Sequence, residues 1–340
     1  MAENTAESFT ESQSGIVESE NEAYDEEHEQ LIEECKELSL PRRKGWGHPY
    51  IYLYQDIWYI PAQIQAISSF QKHFQAKDSD IIIASLPKSG TTWLKALTFA
   101  IVNRKVFSPS QHNHPLLFSN PHELVPFFEF NHYINNQIPD LSSMSEPRLF
   151  STHVPFHSLP DSITKGKCKI IYICRSPFDN FVSFWSFANK VAPPSLPKLS
   201  CEEAFERYLK GFNACGPFWI HMLGYWRESK ETPSKIMFLK YEDLKGDIKF
   251  YLNRVAEFLD CPFNFEEESN GFIENIIELC SFEKMKELEV NKTGKFLMFE
   301  KKDFFRKGEV GDWVNHFSPS MAEKLSRVME EKLGGSGLSF

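Results

Sequence analysis

Polar and basic side chains that could hold an anion cluster at one short turn of the sequence. The segment 80–93 reads DIIIASLPKSGTTW, so the turn lies between a short apolar run and a longer one that begins at Trp93. Its polar residues are Lys88, Ser89, Gly90, Thr91 and Thr92. A turn that joins a strand to a helix N-terminus presents free backbone N–H groups and the positive end of the helix dipole, which together suit a phosphate. The pattern therefore predicts an anion-binding turn.

This turn differs from a Walker A loop. That motif has a glycine four residues before its Gly-Lys-Ser/Thr, with the lysine at the helix start, whereas Lys88 precedes the only glycine here, Gly90. Taken alone, the pattern is equally typical of an ordinary turn. Two further basic segments favour the anion site.

The first of these segments contains Arg175 and Ser183, eight residues apart, which can reach one anion from a strand end and the following helix. Guanidinium and phosphate groups form strong bidentate pairs. The second contains Arg306, Lys307 and Gly308, where the glycine permits close backbone approach. Alone, this Arg-Lys pair is typical of a solvated surface. Three such segments together predict a ligand with phosphates at two separate places.

His153 is the candidate general base, because imidazole titrates near neutral pH and this histidine follows the strand-like run 148–152. A lone histidine is more often structural, so its context decides. No cysteine or second histidine lies at metal-ligand spacing, and no metal is predicted. The remaining histidines of the loop-rich stretch, His112, His114 and His122, receive no role.

Strand-like and helical runs alternate along the chain. The strand-like runs lie at 81–84, 148–152, 169–174 and 235–241, after a predicted hairpin at 46–60. Helical runs lie at 61–74, 93–102, 178–188, 201–209, 216–228 and 247–259, and 190–200 reads as a loop or lid. This alternation predicts an α/β fold with a central, mostly parallel sheet flanked by helices. Ligands bind beyond the carboxyl ends of such strands, where Lys88, His153, Arg175 and Tyr241 follow.

Charge divides the 340 residues into a tail and a body. Of the 47 acidic residues, twelve lie within 1–34, which has no Lys or Arg, and the remainder carries 35 acids and 37 bases. We therefore predict a largely disordered acidic tail at 1–44, with a short helix at 31–40, and one domain at 45–340. A solvating extension explains the tail better than a docking role.

Targeting signals are lacking in the sequence. The N-terminus has neither a signal peptide nor a transit peptide pattern, and no apolar run approaches a membrane span. Seven scattered cysteines fit a reducing compartment better than a disulfide framework. These features predict a cytoplasmic protein without a membrane or nucleic-acid partner.

Several motifs in order resemble the cytosolic sulfotransferase family, its plant branch in particular, over roughly 45–340. They are PKSGTTW, STHVPF, CRSPFDNFVSFW, FLKYEDLK, CSFEKMK and RKGEVGDW. The resemblance implies a P-loop-kinase-like α/β fold and transfer of the sulfuryl group of 3′-phosphoadenosine 5′-phosphosulfate (PAPS) to a hydroxyl group of a small molecule. No metal is implied, because lysine and arginine neutralise the charge.

The resemblance also implies a role for each site residue. Lys88 and the backbone of 89–92 would hold the 5′-phosphosulfate, and Lys88 would stabilise the leaving phosphate. His153 would take the proton of the acceptor hydroxyl. The 3′-phosphate would be held by Arg175, Ser183, Arg306, Lys307 and Gly308, and the adenine by Trp93, Phe282, Tyr241 and Cys280.

Three positions depart from the pattern of animal members. Ser151 replaces a lysine two residues before the histidine, so a supplementary cation is expected from Lys307. Cys280 replaces a threonine. The dimer motif KxxxTVxxxE appears as VNHFSPSMAE and keeps only Glu323, which predicts a monomer.

Two other functions remain open at this point. A small-molecule kinase is compatible with the fold, but needs a Walker A lysine and an acid for Mg²⁺. A non-catalytic nucleotide-binding adaptor would use the acidic tail. The acceptor stays unidentified, although an aromatic or apolar one is predicted from residues expected to shape its pocket: Phe127, Phe128, Tyr133, Phe156 and the 186–200 loop.

Overall fold

The computed structural model describes residues 31–36 and 38–340. An antiparallel sheet is formed by β1 (Arg42–Lys44), β2 (Tyr50–Tyr54) and β3 (Ile57–Tyr59). The central sheet is formed by β4 (Ile81–Ser85), β5 (Leu149–Thr152), β6 (Lys169–Cys174) and β7 (Ile236–Lys240). A small hairpin pairs β8 (Lys295–Phe296) with β9 (Phe299–Glu300).

Helices surround the central sheet. The α-helices are α1 (31–36), α2 (Pro61–His73), α3 (Thr91–Asn103), α4 (Pro121–Leu124), α5 (Asp161–Thr164), α6 (Pro177–Val191), α7 (Cys201–Leu209), α8 (Phe218–Glu231), α9 (Tyr241–Gly246), α10 (Ile248–Phe258), α11 (Phe265–Ser269), α12 (Phe272–Leu279), α13 (Phe282–Glu287), α14 (Glu289–Lys292) and α15 (Pro319–Leu333). Single 3₁₀ turns occur at Pro115–Leu117, Ile134–Asn136, Phe156–Ser158, Lys301–Phe304 and Asp312–Asn315, and a π turn at Phe128–His132.

All four strands of the central sheet are parallel, in the order β5-β4-β6-β7. The α/β architecture predicted from the alternating runs is therefore confirmed. Strands β4, β5 and β6 are almost wholly buried, which explains why the sequence of β4 reads as a continuous apolar run.

Two apolar cores cover the two faces of this sheet, because successive strand residues point to opposite sides. Ile82 and Ala84 belong to the core formed with α2, α6 and α8, while Ile81 and Ile83 belong to the core formed with α3, α10 and α12. Burial of each large apolar side chain contributes about 1.5–3 kcal/mol. The sheet is thereby fixed between two helical layers.

A buried ion pair joins the amino ends of two central strands. Arg148 donates to Asp80 through Nε at 2.7 Å and through Nη2 at 2.6 Å. Both side chains are nearly inaccessible to water. A planar bidentate pair of this kind fixes geometry, so β5 is held beside β4 with His153 at its far end.

Residues 31–44 contain ordered elements within the segment that the sequence assigned to the tail. Helix α1 buries Leu31 and Cys35, and β1 pairs with β2. The disorder predicted for residues 1–30 lies outside the described residues, and the domain boundary near residue 44 stays a prediction. Within 31–36 and 38–340, no helix is both long and apolar enough to cross a membrane.

Candidate active site

The turn after β4 has an unusual backbone. Lys88 and Gly90 adopt positive φ angles of 68° and 104°, a region that glycine enters freely and lysine rarely. A Cβ atom at Gly90 would lie 2.7 Å from the ring of Tyr241. Gly90 also forms the N-cap of α3, whose first N–H groups therefore face this turn. The predicted strand, turn and helix N-terminus are all present.

Asn180 on α6 holds this turn from the side. Its Nδ2 donates to the carbonyl of Pro87 at 2.8 Å and to Ser89 Oγ at 3.1 Å, and its Oδ1 accepts from Tyr208 Oη at 3.0 Å. All the polar atoms of the Asn180 side chain are thereby used inside the protein. Sequence reasoning missed this residue, although it is the only amide side chain in the predicted aromatic helix 178–188.

Arg175 follows β6, as predicted, and lies beside the C-terminal loop. Its guanidinium donates to the carbonyl of Glu309 and lies 4.7 Å from the ring centroid of Tyr241. Tyr241 Oη donates to the carbonyl of Gly308 at 2.9 Å. These contacts join the segment after β6 to the predicted Arg306–Gly308 segment.

Two buried carboxylates position the C-terminal loop. Asp179 accepts from the backbone N–H groups of Gly311 at 2.7 Å and Trp313 at 3.1 Å. Asp312 accepts from Arg306 and from Lys307, each at 2.6 Å. Because Lys307 shares that carboxylate, the expectation that it supplies a supplementary cation gains no support from the structure.

His153 lies directly after β5 with a defined tautomer. Its Nδ1 lies 2.6 Å from the carbonyl of Ser85, which can only accept, so Nδ1 carries the hydrogen and Nε2 keeps a lone pair. The imidazole is 8% exposed, lines the cavity described below, and lies 4.8 Å from the ring of Phe127. Burial, the largest effect, lowers the pKa of His153 to about 3.

Glu129 fixes the backbone around this histidine. Its Oε1 accepts from the backbone N–H of His153 at 2.6 Å, and its Oε2 accepts from Thr152 Oγ1 at 3.0 Å. Burial raises the pKa of Glu129 to about 7, against these hydrogen bonds. The sequence signal for this residue was a single acid within the aromatic segment PFFEF, which we assigned no role.

One cavity, about 390 Å³ in volume, lies at the carboxyl edge of the central sheet. Its lining includes Lys88, Gly90, Thr91, Thr92, Trp93, His153, Arg175, Ser183, Tyr241, Phe282, Arg306, Lys307 and Gly308. Residues from six separate parts of the chain thus meet at one place, and four of these parts follow the ends of the central strands, as predicted.

Two residues predicted to bind the nucleotide do not line the cavity. Ser89 is fully buried, with its hydroxyl bonded to Asn180, so that only its backbone remains for a ligand. Cys280 is also fully buried, and it belongs to the core beneath α12. Its predicted contact with an adenine ring is therefore corrected: the neighbouring Ser281 and Ile277 line the cavity instead.

Aromatic residues form the part of the lining that surrounds His153. Phe127 lines the cavity, but the predictions for Phe128, Tyr133 and Phe156 are wrong: the first two are buried in the core, and the partly buried Phe156 packs against it. Of the 186–200 loop, Phe187, Ala188 and Val191 line the cavity, and α6 extends to Val191. Phe130, whose segment is apolar enough to line a cavity although burial in the core is its default assignment, also lines it. Sequence reasoning missed further lining residues: Trp46, Phe184, Phe296, Phe299 and Phe304.

Positive charge accumulates in the part of this cavity that Lys88, Arg175 and Arg306 line. Burial, followed by the charges of Arg306 and Arg175, lowers the pKa of Lys88 to about 7. The Lys88 ammonium lies 3.9 Å from the ring centroid of Phe187. Three basic side chains close enough to repel one another form a site that an anion would stabilise.

Comparisons with known proteins agree with this geometry. Residues 78–337 match a family model described as the sulfotransferase domain. A curated relative named cytosolic sulfotransferase 15 from Arabidopsis thaliana is 53% identical over 320 residues, which cover 93% of this chain and 89% of the relative.

Solved structures give the same relationship. A putative steroid sulphotransferase from Arabidopsis thaliana superimposes with a TM-score of 0.71 at 44% identity, covering 89% of this chain and 93% of that chain. A mouse sulfotransferase, SULT7A1, complexed with PAP superimposes with a TM-score of 0.63 at 26% identity, covering 84% of this chain and 96% of that chain.

Proposed function

Because the chain belongs to the sulfotransferase family, we propose that it transfers the sulfuryl group of PAPS to a hydroxyl group of a small, apolar acceptor. The observation that carries this proposal is the meeting of the Lys88 turn, Arg175 and the Arg306–Gly308 segment at the cavity that His153 lines. The names of its relatives favour the cytoplasm as the place of action.

The described residues fit a doubly anionic nucleotide. Arg175 Nε is buried without a hydrogen-bond partner among them, so its N–H is not used within the described part of the protein. Lys88 would bind the 5′-phosphosulfate, and Arg175 with Arg306 would bind the 3′-phosphate. Trp93 and Phe282 would contact the adenine, a kind of stack that contributes about 1–3 kcal/mol per base.

His153 supplies the base in this proposal. Its Nε2 lone pair would accept the proton of the acceptor hydroxyl while the hydroxyl oxygen forms a bond to sulfur. Lys88 would stabilise the phosphate oxygen as its bond to sulfur breaks. A preorganised charge of this kind changes rates by roughly a hundredfold or more. The aromatic lining favours a flat, uncharged acceptor, and none of these steps uses a metal.

Transfer of ³⁵S from labelled PAPS to a panel of phenols, flavonols, steroids, hydroxylated fatty acids and desulfoglucosinolates tests the proposal. We expect label in at least one class, and a loss of about a hundredfold or more in kcat for His153→Ala. His157→Ala is the matched control, because His157 follows the same strand but bonds to Gln55 outside the cavity. An unlabelled panel, or wild-type turnover by His153→Ala, would contradict the assignment.

A further inference from the structure

A lysine that the proposed reaction does not use is buried beside the anion-binding turn. Lys95 lies on α3, three residues after Thr92, and that spacing places both side chains on one helix face. Lys95 is 0% exposed, whereas Thr92 lines the cavity. The lysine is therefore behind the cavity wall, one layer away from a predicted ligand-binding hydroxyl.

The amine of Lys95 has few polar contacts. Its Nζ lies 2.9 Å from His122 Nδ1 and 3.2 Å from the ring centroid of Phe127. No carboxylate among the described residues pairs with it directly, and burial, which outweighs the charge of Glu129, lowers the pKa of Lys95 well below its usual value. Burial of an amine in this way destabilises a fold, so its presence favours a role other than stability.

His122 connects this amine to the cavity. Its ring lies within 4.6–5.3 Å of the rings of Phe304, Phe296 and Phe127, and its Nε2 lies 3.0 Å from Thr92 Oγ1. Nδ1 and Nε2 of this one ring thus contact Lys95 and Thr92 respectively. The sequence placed His122 in a loop-rich stretch and gave it no function.

The hydrogen bonds that join Lys95, His122 and Thr92 have a defined direction when Lys95 is protonated. An ammonium group only donates, so His122 Nδ1 must accept. A neutral imidazole then carries its hydrogen on Nε2 and donates it to Thr92 Oγ1. Because an oxygen lone pair of Thr92 accepts this hydrogen, the hydroxyl of Thr92 can donate its own hydrogen to another acceptor. The cavity lies beside this hydroxyl.

We propose that Lys95, protonated when the nucleotide is bound, and His122 are positioning residues, which direct the hydroxyl hydrogen of Thr92 into the cavity, toward the sulfuryl group that is transferred. This inference rests on the proposed sulfotransferase function. It also places a basic side chain behind the cavity wall of a protein in which Ser151 replaces the lysine of the animal pattern. Ser151 Oγ itself donates to backbone carbonyls at Val125 and Pro126.

The tautomer of His122 tests the direction of these hydrogen bonds in the wild-type protein. Long-range ¹H–¹⁵N spectra of histidine-labelled protein bound to PAP, the desulfonated form of PAPS, should show hydrogen on Nε2 of His122 and none on its Nδ1. The resonance is assigned by its absence in His122→Phe, which keeps the ring stack. The opposite tautomer would overturn the proposal without any need for turnover.

Kinetics of isosteric variants test the consequence. Thr92→Val and Lys95→Met should each lower kcat about tenfold or more, with a smaller change in KM for PAPS. Because both act through one hydroxyl, the double variant should be no slower than Thr92→Val alone. Independent, multiplying losses would overturn the proposal.

Thr98→Val is the matched control, because Thr98 lies on the same helix and its buried hydroxyl has no hydrogen-bond partner among the described residues. It should keep the wild-type kcat. A Lys95→Met protein that fails to fold leaves the decision to the tautomer. If the wild type transfers no label, the proposed function fails, whereas the tautomer of His122 still decides this inference.

Discussion

Burial tunes the two residues to which we assign the chemistry. The low pKa of His153 means that its imidazole is neutral across the physiological range, and the Ser85 carbonyl fixes the hydrogen on Nδ1. A neutral imidazole with a free Nε2 is the form that a general base requires. The pH profile of kcat/KM, which reports the groups of the free enzyme, should therefore show no fall near pH 6.5 that arises from His153.

Lys88 gives a prediction about proton uptake. Its pKa of about 7 is lowered by burial and by Arg306 and Arg175, and the phosphates of a nucleotide would raise it again. At pH 8 the free lysine is mostly neutral, so PAP binding should take up close to one proton, and affinity should fall as pH rises above about 7. Calorimetry in two buffers with different ionisation enthalpies measures this uptake.

Lys88→Arg serves as the control for proton uptake. Arginine stays charged in proteins, so its binding enthalpy should not depend on the buffer beyond contributions from other groups. An identical buffer dependence in the wild type and in Lys88→Arg would show that Lys88 is not the group that titrates.

At the scale of elements, the anion-binding turn depends on its contact with α6. Asn180→Ala removes two donors from the turn and leaves the Tyr208 hydroxyl without its acceptor. A buried polar group left unsatisfied costs about 1–3 kcal/mol. We expect a loss of that size in the free energy of unfolding, measured with urea, together with weaker PAP binding.

Tyr208→Phe separates these two effects. It removes the hydroxyl that Asn180 Oδ1 accepts from, but keeps the two hydrogen bonds from Nδ2 to the turn. Stability should fall by about 1 kcal/mol, while PAP affinity should stay near that of the wild type. Equal losses of affinity in both variants would mean that Asn180 does not act through the turn.

At the scale of the whole molecule, buried histidines make stability sensitive to acid. Burial lowers the pKa of His114 and His221 to about 4 and that of His153 to about 3, and lowers those of His122 and His132. Below about pH 6.5, the unfolded chain binds protons that the folded protein does not, so stability is lost as pH falls toward 4. Burial raises the pKa of Glu129 and of Glu242, which has the opposite effect, but these are two groups against five histidines.

The urea midpoint should therefore fall when the pH is lowered from 7 to 5. The free energy of unfolding should fall by several kcal/mol, because each proton that only the unfolded chain binds costs about 1.4 kcal/mol per pH unit. His114→Asn should make this slope shallower by up to one proton, because asparagine can still accept from the Leu116 N–H that His114 Nδ1 binds. The exposed His112→Asn is its control. A midpoint independent of pH in this range would contradict the prediction.

Sequence alone determined the parallel sheet and its functional edge. Buried parallel strands read as apolar runs, and each run here ends in a polar residue, so Lys88, His153, Arg175 and Tyr241 could be assigned to one edge without coordinates. The order of motifs also indicated the family, which the comparisons confirmed. These features are local in sequence, or follow from a general rule of topology.

Tertiary structure decided which side chains reach the cavity. Phe127 and Phe128 are neighbours in one segment, yet one lines the cavity and the other packs against Phe70 and Phe150. Cys280 likewise points into a core, and Lys95 meets His122 across 27 positions of the chain. Such contacts depend on how α3 and the segment after α4 pack on the sheet. No local pattern of residues encodes that packing, because it is the sum of many distant contacts.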